Sequence, residues 1–391
     1  MASCSLVTSL AKTQSQPPAR PRPSASLPCP ALLLAAACAA TLLACSKPAS
    51  QQYIVPPLPS GHTLRVYSFK DYFVPETLSA FEAKTGNKVV VETYETNEEM
   101  LERLRQGGAY DVVFPSTYAA EQLITHGQAR PMIRERVPNI GNVPAVMRNP
   151  PFDAGLRHCI PYIWTMLGLG VWVDGVDVSR EPDLAALFAT RGPRVVMPDD
   201  PRATLGIALK MLGRSPSSQK PADIDAARDL LLAQLSRVHD YVDDPALSLK
   251  KRDVHMALAW STEIFELRNR DPSVRFVVPR EGTLFYIDYA CVLSRSPQPD
   301  VAFAFLNHLL DPYTASEITN TRMLALANQE ARAMLRPEAR WMWGLFEGIA
   351  SRSRSYEVLR DVGAAEAQYQ QAWRTVKDAL RAQQAAASGA R

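Results

Sequence analysis

From residue 64 onward, apolar runs of strand length alternate with longer amphipathic stretches, and this alternation restricts the possible folds more than any other feature of the sequence. LRVYS predicts a strand, PETLSAFEAKTG a helix and KVVVETY a second strand. Pro75 lies near the start of the predicted helix and Gly86 just past its end, where each residue is favoured. The order strand, helix, strand predicts a parallel sheet with crossover helices.

The alternation continues along the rest of the chain. Thr96 and Glu99 have capping-box spacing at the start of a further predicted helix, which the strand DVVF and the helix TYAAEQLITHG follow. In the second half the predicted strands are LGLGVWV, RVVMP, VHMALAW and VRFVVP, and the helices PRATLGIALKMLG and ADIDAARDLLLAQL. With 391 residues, 47% of them hydrophobic, the chain is long enough for two cores. The long apolar stretch CIPYIWTMLGLGVWV can carry it between two lobes with a cleft between them.

The N-terminal sequence predicts export. Residues 30–45, PALLLAAACAATLLAC, form an apolar run too short to span a bilayer comfortably, and Arg20 and Arg22 precede it without any acid. The run ends in LLAC, which resembles the lipobox of bacterial lipoproteins, so Cys45 is the predicted lipidation site. An ordinary signal cut nearby and an uncleaved anchor are the alternatives.

These features divide the N-terminal region into two parts. Residues 1–44 are the predicted signal peptide, and its Ser- and Pro-rich first 28 residues suggest a start codon assigned too far upstream. Residues 45–62 are the predicted lipidated cysteine and a proline-rich tether, which would act as an extended spacer. The signal peptide carries all of the formal net charge of +3 in three basic residues, Lys12, Arg20 and Arg22. The mature chain is therefore neutral, which argues against a nucleic-acid partner.

Two cysteines remain in the mature body beyond the predicted lipid site, Cys159 and Cys291. In an oxidising compartment these two can pair. Both lie in apolar, strand-like surroundings, which favour two small buried thiols instead. The residues alone leave the disulfide open.

Enzyme signatures are missing from the sequence. It contains no dinucleotide or phosphate-binding glycine motif, no His-Glu-x-x-His, no Gly-x-Ser-x-Gly and no paired-cysteine metal motif. The six histidines are scattered. We therefore expect neither catalysis nor a cofactor. An envelope enzyme that uses two carboxylates as acid and base is the least favoured alternative, because no nucleophile or metal site accompanies them.

Acids beside aromatic residues recur at the ends of predicted strands, where open α/β sheets bind ligands. Aromatic residues in such places more often belong to the core or its rim, and a lone Glu on a helix is usually solvated. The residues concerned are Phe69, Asp71, Tyr72, Ser116, Tyr118, Trp260, Glu263, Tyr286 and Asp288.

Asp288 is the most informative of these acids. It lies in the apolar run EGTLFYIDYACVLSRS, where an ionised carboxylate is costly unless it is paired. An internal arginine or a ligand cation would supply the pairing charge. Nearby aromatic rings favour an alkyl-ammonium, because ring faces attract ammonium groups by roughly 0.5 to 2 kcal/mol. Two or three acids along such a box would suit a linear di- or polyamine.

At these residues the chain resembles the periplasmic spermidine/putrescine-binding proteins, the substrate-binding components of polyamine ABC importers. The resemblance runs from about Thr63 to the C-terminal helix. It is carried by VYSFKDYFVPETLSAFEAKTGNKVVVETYETNEEMLERL, AYDVVFPSTYAAEQL, PFDAGLRHCIPYIWTMLGLGV, FAFLNHLLDP and DVGAA. It implies a type II-like, two-lobed α/β periplasmic binding protein with a hinge, an interlobe ligand cleft and no catalysis.

The resemblance assigns ligand-binding roles to the acids. Asp71 corresponds to an acid between two aromatic residues, and Asp200 in MPDDPRATL to a carboxylate that faces an amine. Glu263 lies where members that prefer a diamine carry an acid and spermidine binders a small residue. Asp288 matches the acid that grips the central or terminal ammonium.

The resemblance also assigns the walls of the cleft. Phe69 and Tyr72 correspond to the first aromatic pair, with Phe69 in place of a tryptophan. Ser116 and Tyr118 match a Ser-x-Tyr contact pair. Trp260 is the tryptophan that walls the alkyl chain, and Tyr286 takes the place of another. Three positions depart from the family by losing an acid or a polar contact: Ala203, Leu324 and Leu359.

Together these points predict a lipid-anchored solute-binding protein of the periplasm or cell envelope. It would be a monomer that delivers a polyamine to an ABC importer permease, with a putrescine-like diamine favoured over spermidine. Another cationic solute and a role in amine sensing are the alternatives. The predicted lobe 1 comprises residues 63–164 and about 284–326, and lobe 2 about 165–283 and 327–391.

Overall fold

The computed structural model of the protein describes residues 56–173, 183–189, 194–350 and 356–389. The predicted signal peptide and lipidation site, Cys45, lie outside these residues, as does most of the tether. The strands are β1 (Thr63–Phe69), β2 (Lys88–Tyr94), β3 (Val112–Val113), β4 (Cys159–Trp172), β5 (Val195–Pro198), β6 (Val238–Val242), β7 (Met256–Trp260), β8 (Val274–Val277), β9 (Thr283–Val292), β10 (Ala325–Leu326) and β11 (Tyr356–Val358).

Helices lie between most of these strands. They are α1 (Pro75–Thr85), α2 (Asn97–Arg105), α3 (Thr117–Thr125), α4 (Leu184–Phe188), α5 (Pro201–Met211), α6 (Pro221–Ala233), α7 (Pro245–Lys250), α8 (Ser261–Arg270), α9 (Pro299–Leu309), α10 (Pro312–Arg322), α11 (Pro337–Ala350) and α12 (Glu366–Gly389). Among the residues described, no helix is both long and apolar enough to cross a membrane.

The helix ends follow the local sequence signals. α1 begins at Pro75 and is closed by Gly86, whose φ of 70° is favoured in glycine and whose N–H donates to the carbonyl of Glu82. At the start of α2 the Thr96 side chain accepts a hydrogen bond from the N–H of Glu99. The Glu99 carboxylate accepts in turn from the N–H of Glu95. Both predicted helix starts are therefore confirmed.

The sheet is mixed, which corrects the expectation of a parallel sheet. Its main order is β2-β1-β3-β9-β4-β7-β5-β6. Parallel pairing holds between β1 and its neighbours β2 and β3, and between β5 and its neighbours β6 and β7. In the middle, β9 runs antiparallel to both β3 and β4, and β4 antiparallel to β7. The parallel units on the two sides are thus joined by antiparallel strands.

β4 belongs to both sides of this arrangement. Residues Cys159 to Met166 pair with β9, whereas Leu167 to Trp172 pair with β7 and β8. Side chains along all 14 residues of β4 are buried, as its continuous apolar sequence predicts for a central strand. The apolar stretch that was expected to carry the chain between the lobes is therefore one continuous strand.

Close packing fixes α8 against β4. Gly170 of β4 lies beneath the side chains of Ile264 and Leu249, and a Cβ atom at this position would overlap Ile264. Ile264 of α8 and Leu249 of α7 belong to a cluster of buried apolar residues that also contains Trp172 and Val274. α8 is thereby held rigidly, and this matters because Glu263 lies in its first turn.

Cys159 and Cys291 form a disulfide that links β4 to β9. The apolar surroundings that favoured two free thiols are real, since both residues are fully buried. The preference was wrong because β4 and β9 place the two cysteines directly opposite each other, with Cα atoms 4.5 Å apart. Such a distance permits the bond.

Loss of this cross-link is expected to destabilise the protein by about 2 to 5 kcal/mol, because it closes a chain segment with a sequence separation of 132 residues. The measurement is urea denaturation of the wild type with and without dithiothreitol, beside Cys159→Ala/Cys291→Ala. Reductant should lower the midpoint of the wild type and leave that of the double variant unchanged. Recovery of the two cysteines in separate peptides under non-reducing conditions would contradict the cross-link.

Candidate functional site

Asp288 lies on β9 with its carboxylate buried; 4% of the residue is exposed. Its two oxygens accept hydrogen bonds from two hydroxyl groups, that of Ser116 at 2.5 Å and that of Tyr72. Desolvation raises the pKa of Asp288 to about 6, although the two hydroxyl donors act in the opposite direction. The acid is thus hydrogen-bonded but not neutralised.

Local structure aims the two hydroxyls at Asp288. Ser116 precedes α3 in extended backbone, forms an isolated bridge with Asp288, and is fixed by the Asn97 amide, which contacts both its N–H and its hydroxyl. The Tyr72 ring lies 6.2 Å from that of Phe114 and 6.0 Å from that of Tyr162. These partners hold both donors in place without supplying a charge.

An aromatic corner lies next along the same strand. Tyr286 is buried on β9 and meets Trp260 edge-on, with ring centroids 4.5 Å apart. Trp260 is half-buried at the end of β7 and directly precedes α8. The Tyr286 hydroxyl is buried and has no hydrogen-bond partner. The structure therefore brings Tyr286 and Trp260, two predicted wall residues, together. It leaves the hydroxyl oxygen of Tyr286 without a hydrogen bond.

Tyr118 connects α3 to a group of charges. Its hydroxyl donates to the Glu98 carboxylate at 2.9 Å, and its ring lies beneath the Arg202 guanidinium, 4.9 Å from the centroid. Desolvation raises the pKa of Glu98 to about 7, and the negative charges of Asp200 and Glu366 add to this increase. Two residues that were not predicted, Glu98 and Arg202, therefore contact the predicted site residue Tyr118.

Asp200 caps the N-terminus of α5. Its carboxylate accepts from the N–H of Ala203 at 2.8 Å. Desolvation raises the pKa of Asp200, whereas the Ala203 N–H and the Arg202 charge act to lower it. Ala203 itself is fully buried. Asp200 is therefore both a helix cap and a half-buried acid.

Glu263 is half-buried in the first turn of α8, and one of its carboxylate oxygens has no partner. Desolvation raises its pKa well above the ordinary value, and Asp244 adds to the shift. Asp244 caps α7 through the N–H of Leu247. Glu263 thus lies within electrostatic reach of another acid, Asp244, and no contact among the described residues joins it to Asp288.

The remaining predicted residues differ in their placement. Phe69 is half-buried, 4.5 Å from the Tyr94 ring and 5.5 Å from that of Tyr72. Asp71, by contrast, is exposed and forms an ion pair with Arg322 at 3.2 Å. Its φ of 61° is a left-handed conformation that Asp tolerates better than most residues. The structure therefore does not bring Asp71 together with the other predicted acids.

Two of the positions that depart from the family lie in apolar cores. Leu359 is buried, with its side chain close to Gly206 of α5, and Leu324 is buried among apolar side chains at the end of α10. Leu359 and Ala203 belong to one buried apolar cluster and Leu324 to another.

Four carboxylates around the predicted cleft have no cationic partner: Glu98, Asp200, Glu263 and Asp288. No Lys or Arg in the part of the chain that the structure describes lies within ion-pair distance of them. Arg202, which lies two residues beyond Asp200, forms its ion pair with Glu366, at 3.0 Å. Clusters of three or more His, Cys, Asp or Glu suited to a metal ion do not occur among the described residues. The arrangement favours an organic cation.

Sequence reasoning had only weak signals for the two missed residues. Glu98 lies in the first turn of α2, where an acid is ordinarily explained by the helix dipole. Arg202 follows Pro201 in an amphipathic helix, where an arginine usually faces solvent. Only the packing of α2, α3 and α5 shows that both side chains face the same tyrosine.

Comparison with known proteins places this geometry in context. The bacterial extracellular solute-binding protein family matches residues 64–319. The spermidine/putrescine-binding periplasmic protein of Salmonella typhimurium is 30% identical over 319 residues, which cover 81% of this chain and 91% of that protein. The putrescine/cadaverine-binding protein of Pseudomonas aeruginosa is 30% identical over 325 residues, covering 78% and 90%.

A solved structure agrees with the sequence relatives. The putative spermidine/putrescine ABC transporter from Listeria monocytogenes superimposes with a TM-score of 0.76 at 25% identity, covering 81% of this chain and 98% of that one. These matches confirm the resemblance noted in the sequence and the two-lobed α/β fold that it implied. The chain belongs to the bacterial extracellular solute-binding proteins, a family of non-enzymatic binding proteins, and is related there to the periplasmic spermidine/putrescine-binding proteins.

Proposed function

We propose that this protein captures a linear polyamine outside the cytoplasm and delivers it to the permease of an ABC importer. The observation that carries the proposal is Asp288, a buried carboxylate that two hydroxyls hold and no cation neutralises. Burying a charge without a counter-charge is costly, and a ligand ammonium would remove that cost. The names of the relatives support the same class of ligand.

The aromatic residues support the proposal independently. Tyr72, which donates a hydrogen bond to Asp288, has its ring 5.5 Å from that of Phe69 at the end of β1. Tyr286, two residues before Asp288 on β9, forms a corner with Trp260 at the end of β7. Ring faces attract ammonium groups and shelter methylene groups from water. A chain of methylenes that ends in ammonium groups matches both the rings and the acids.

Among polyamines we favour a putrescine-like diamine over spermidine. Glu263 lies where diamine-preferring relatives carry an acid, and its unpartnered oxygen is available to a second ammonium. A different cationic solute is the alternative, and the apolar Leu324 and Leu359 favour it. An accessory role in amine sensing would use the same site.

The mode of action follows from the fold. We propose that the two lobes, residues 63–164 with about 284–326 and about 165–283 with 327–391, close over the amine as a monomer. A lipid on Cys45 and the tether up to residue 62 would hold this body at the membrane in the periplasm or cell envelope. The lipobox-like LLAC supports the anchor.

The test of the proposed function is calorimetric titration of the purified protein with putrescine, cadaverine, spermidine and spermine. Amino acids and sugars serve as comparison ligands. Saturable heat with at least one amine and none with the neutral solutes is the expected result. No heat with any amine, or stronger binding of a neutral solute, would reject the proposal.

Glu263→Gln is expected to weaken putrescine binding about tenfold, because a charge-assisted hydrogen bond to the second ammonium becomes a neutral one. Spermidine should lose less, so the ratio of the two dissociation constants should change. The matched control is Glu266→Gln on the same helix, an exposed acid that pairs with Arg270. Equal dissociation constants for Glu263→Gln and the control would remove Glu263 from the site.

A further inference from the structure

Two adjacent polar side chains of α3, those of Glu121 and Gln122, contact the chain segment that follows β11. The Glu121 carboxylate accepts two hydrogen bonds from the Arg360 guanidinium, from Nε at 3.0 Å and from Nη2 at 2.7 Å. It also accepts one from the backbone N–H of Asp361, at 3.3 Å. The Gln122 amide donates to the Asp361 carboxylate at 2.8 Å. Four hydrogen bonds therefore join two pairs of neighbouring residues that are 239 positions apart in the chain.

The main chain at Arg360 is fixed to α5 and to the loop after α5. Its N–H donates to the hydroxyl of Ser217, which lies between α5 and α6, at 2.9 Å. Its carbonyl accepts from the Arg202 guanidinium of α5, also at 2.9 Å. Leu359, the preceding residue, is buried close to Gly206 of the same helix. The backbone thus belongs to the α5 side, and the Arg360 side chain extends from it to α3.

Helix α3 belongs to the other side of the protein. It follows β3 and is attached to β9 by a hydrogen bond from the Thr117 hydroxyl to a carbonyl of that strand, at 3.1 Å. With the lobe boundaries proposed above, α3 is part of lobe 1, whereas α5, α6 and residue 360 are part of lobe 2. The ion pair of Glu121 and Arg360 therefore crosses from one lobe to the other. The pair of Lys210 and Glu357, in contrast, lies within lobe 2.

The geometry of the Glu121–Arg360 pair favours a specific contact. Its two parallel hydrogen bonds use the planar fork of the guanidinium, an arrangement that a lysine could not reproduce. The side chains are partly shielded, with 20% of Glu121 and 42% of Arg360 exposed. Solvent screens the pair in part, so its contribution is close to that of a surface ion pair. Such a contribution still matters for lobe opening, because two conformations that are both populated are close in free energy.

We propose that Glu121, Gln122, Arg360 and Asp361 form a latch that stabilises the closed arrangement of the two lobes and thereby sets the affinity for the amine. This inference rests on the proposed function and deepens it. A ligand that binds the closed state gains affinity from anything that raises the population of that state. Glu121 and Arg360 would then be positioning residues.

The position of the latch explains how it acts on the site. Glu121 lies one turn beyond Tyr118 on α3, and the Arg360 carbonyl is bound by Arg202, whose guanidinium lies over the Tyr118 ring at 4.9 Å. Closing the latch therefore keeps Tyr118, a predicted wall residue of the cleft, against α5. Opening it would let α3 and α5 separate at that point.

The first experiment is calorimetric titration of three variants with putrescine and spermidine: Glu121→Gln, Arg360→Gln and the combination of both. Each single variant should weaken binding about threefold to fivefold, the effect of a partly exposed ion pair. The combination should be no weaker than either single variant, because the same pair is lost in all three. The matched control is Glu102→Gln on α2, whose acid pairs with Arg105 at the surface and should leave the affinity unchanged.

Charge reversal separates a latch from a general role in folding. Arg360→Glu adds a third acid beside Glu121 and Asp361, so repulsion should favour the open state and weaken binding about tenfold or more. Glu121→Arg/Arg360→Glu restores opposite charges and should recover most of the lost affinity. A residue that only supported folding would show no such recovery. At 1 M NaCl the ratio of the dissociation constants of Glu121→Gln and the wild type should approach one, because salt screens exposed pairs.

A measurement without ligand tests the latch independently of amine binding. Small-angle X-ray scattering of the ligand-free protein should give a larger radius of gyration for Arg360→Glu than for the wild type and for Glu102→Gln. Urea denaturation should give similar midpoints for all three, since the latch side chains are partly exposed.

The possible failures are distinguishable. Equal radii of gyration for the wild type and Arg360→Glu, or a wild-type dissociation constant in Glu121→Gln, would overturn the latch while the proposed function stands. No heat with any amine in the wild type would reject the proposed function, and the scattering comparison would still decide whether the lobes are latched.

Discussion

Asp288→Asn should weaken amine binding by about a hundredfold or more. The substitution removes the charge and keeps the shape, and losing one partner of a desolvated charge pair typically costs about 2 to 5 kcal/mol, that is, about 30-fold to several thousandfold in affinity. The measurement is calorimetric titration with the tightest-binding amine found for the wild type. Asp225→Asn is the matched control, because Asp225 is an acid on the surface of α6 that pairs with Arg228.

The folding behaviour of Asp288→Asn separates loss of binding from loss of structure. The pKa of Asp288 is raised from 3.8 to about 6 in the folded protein. Between these values the folded state holds more protons than the unfolded state, so the free energy of unfolding of the ligand-free wild type should fall as pH rises. The variant should lack this contribution and be no less stable at pH 7. Unchanged amine affinity would remove Asp288 from the site.

Arg202→Ala should have the second large effect, this time on folding. It leaves Glu366 without its cation, opens space between the rings of Tyr118 and Tyr369, and releases the carbonyl of Arg360. Breaking a buried ion pair by removing one partner typically costs about 3 to 5 kcal/mol. The free energy of unfolding, measured by urea denaturation, should fall by about that amount.

A half-buried surface arginine, Arg228, provides the control for this measurement. Arg228→Ala on α6 breaks two ion pairs whose acids are largely exposed, and should change the free energy of unfolding by about 0.5 kcal/mol or less. If Arg202→Ala were no more destabilising than Arg228→Ala, the contacts of Arg202 with the two rings and with Glu366 would not stabilise the folded state.

The sequence predicted those parts of the fold that local patterns determine. The strands β1, β2 and β5, together with α1 and α2, follow from periodicity and capping signals within a few residues. The direction of β9 could not be predicted in the same way. It pairs with β3 and β4, far away in the sequence, and strand order at that distance depends on tertiary packing.

The candidate site, like the fold, could be predicted from the sequence only where a local pattern marks the residue. Asp288 was found because an acid in an apolar strand conflicts with its surroundings, and a conflict of this kind is visible in the sequence alone. Asp71 also has aromatic neighbours in the sequence. In the structure, however, it lies at the surface, with a left-handed backbone conformation and an ion pair with Arg322. Glu98 has no unusual sequence neighbours, and its significance comes only from Tyr118 and Arg202.

The position of the disulfide bears on Asp288 as well as on stability. Cys159 is directly opposite Cys291, and Asp288, three residues earlier on β9, is opposite Ile163. If β9 slid along β4 by one residue, every side chain of β9 would exchange its face of the sheet. A covalent bond between directly opposed residues forbids that slide. The cross-link therefore keeps β9 in register, and with it the buried carboxylate of Asp288, on which recognition of a cation would depend.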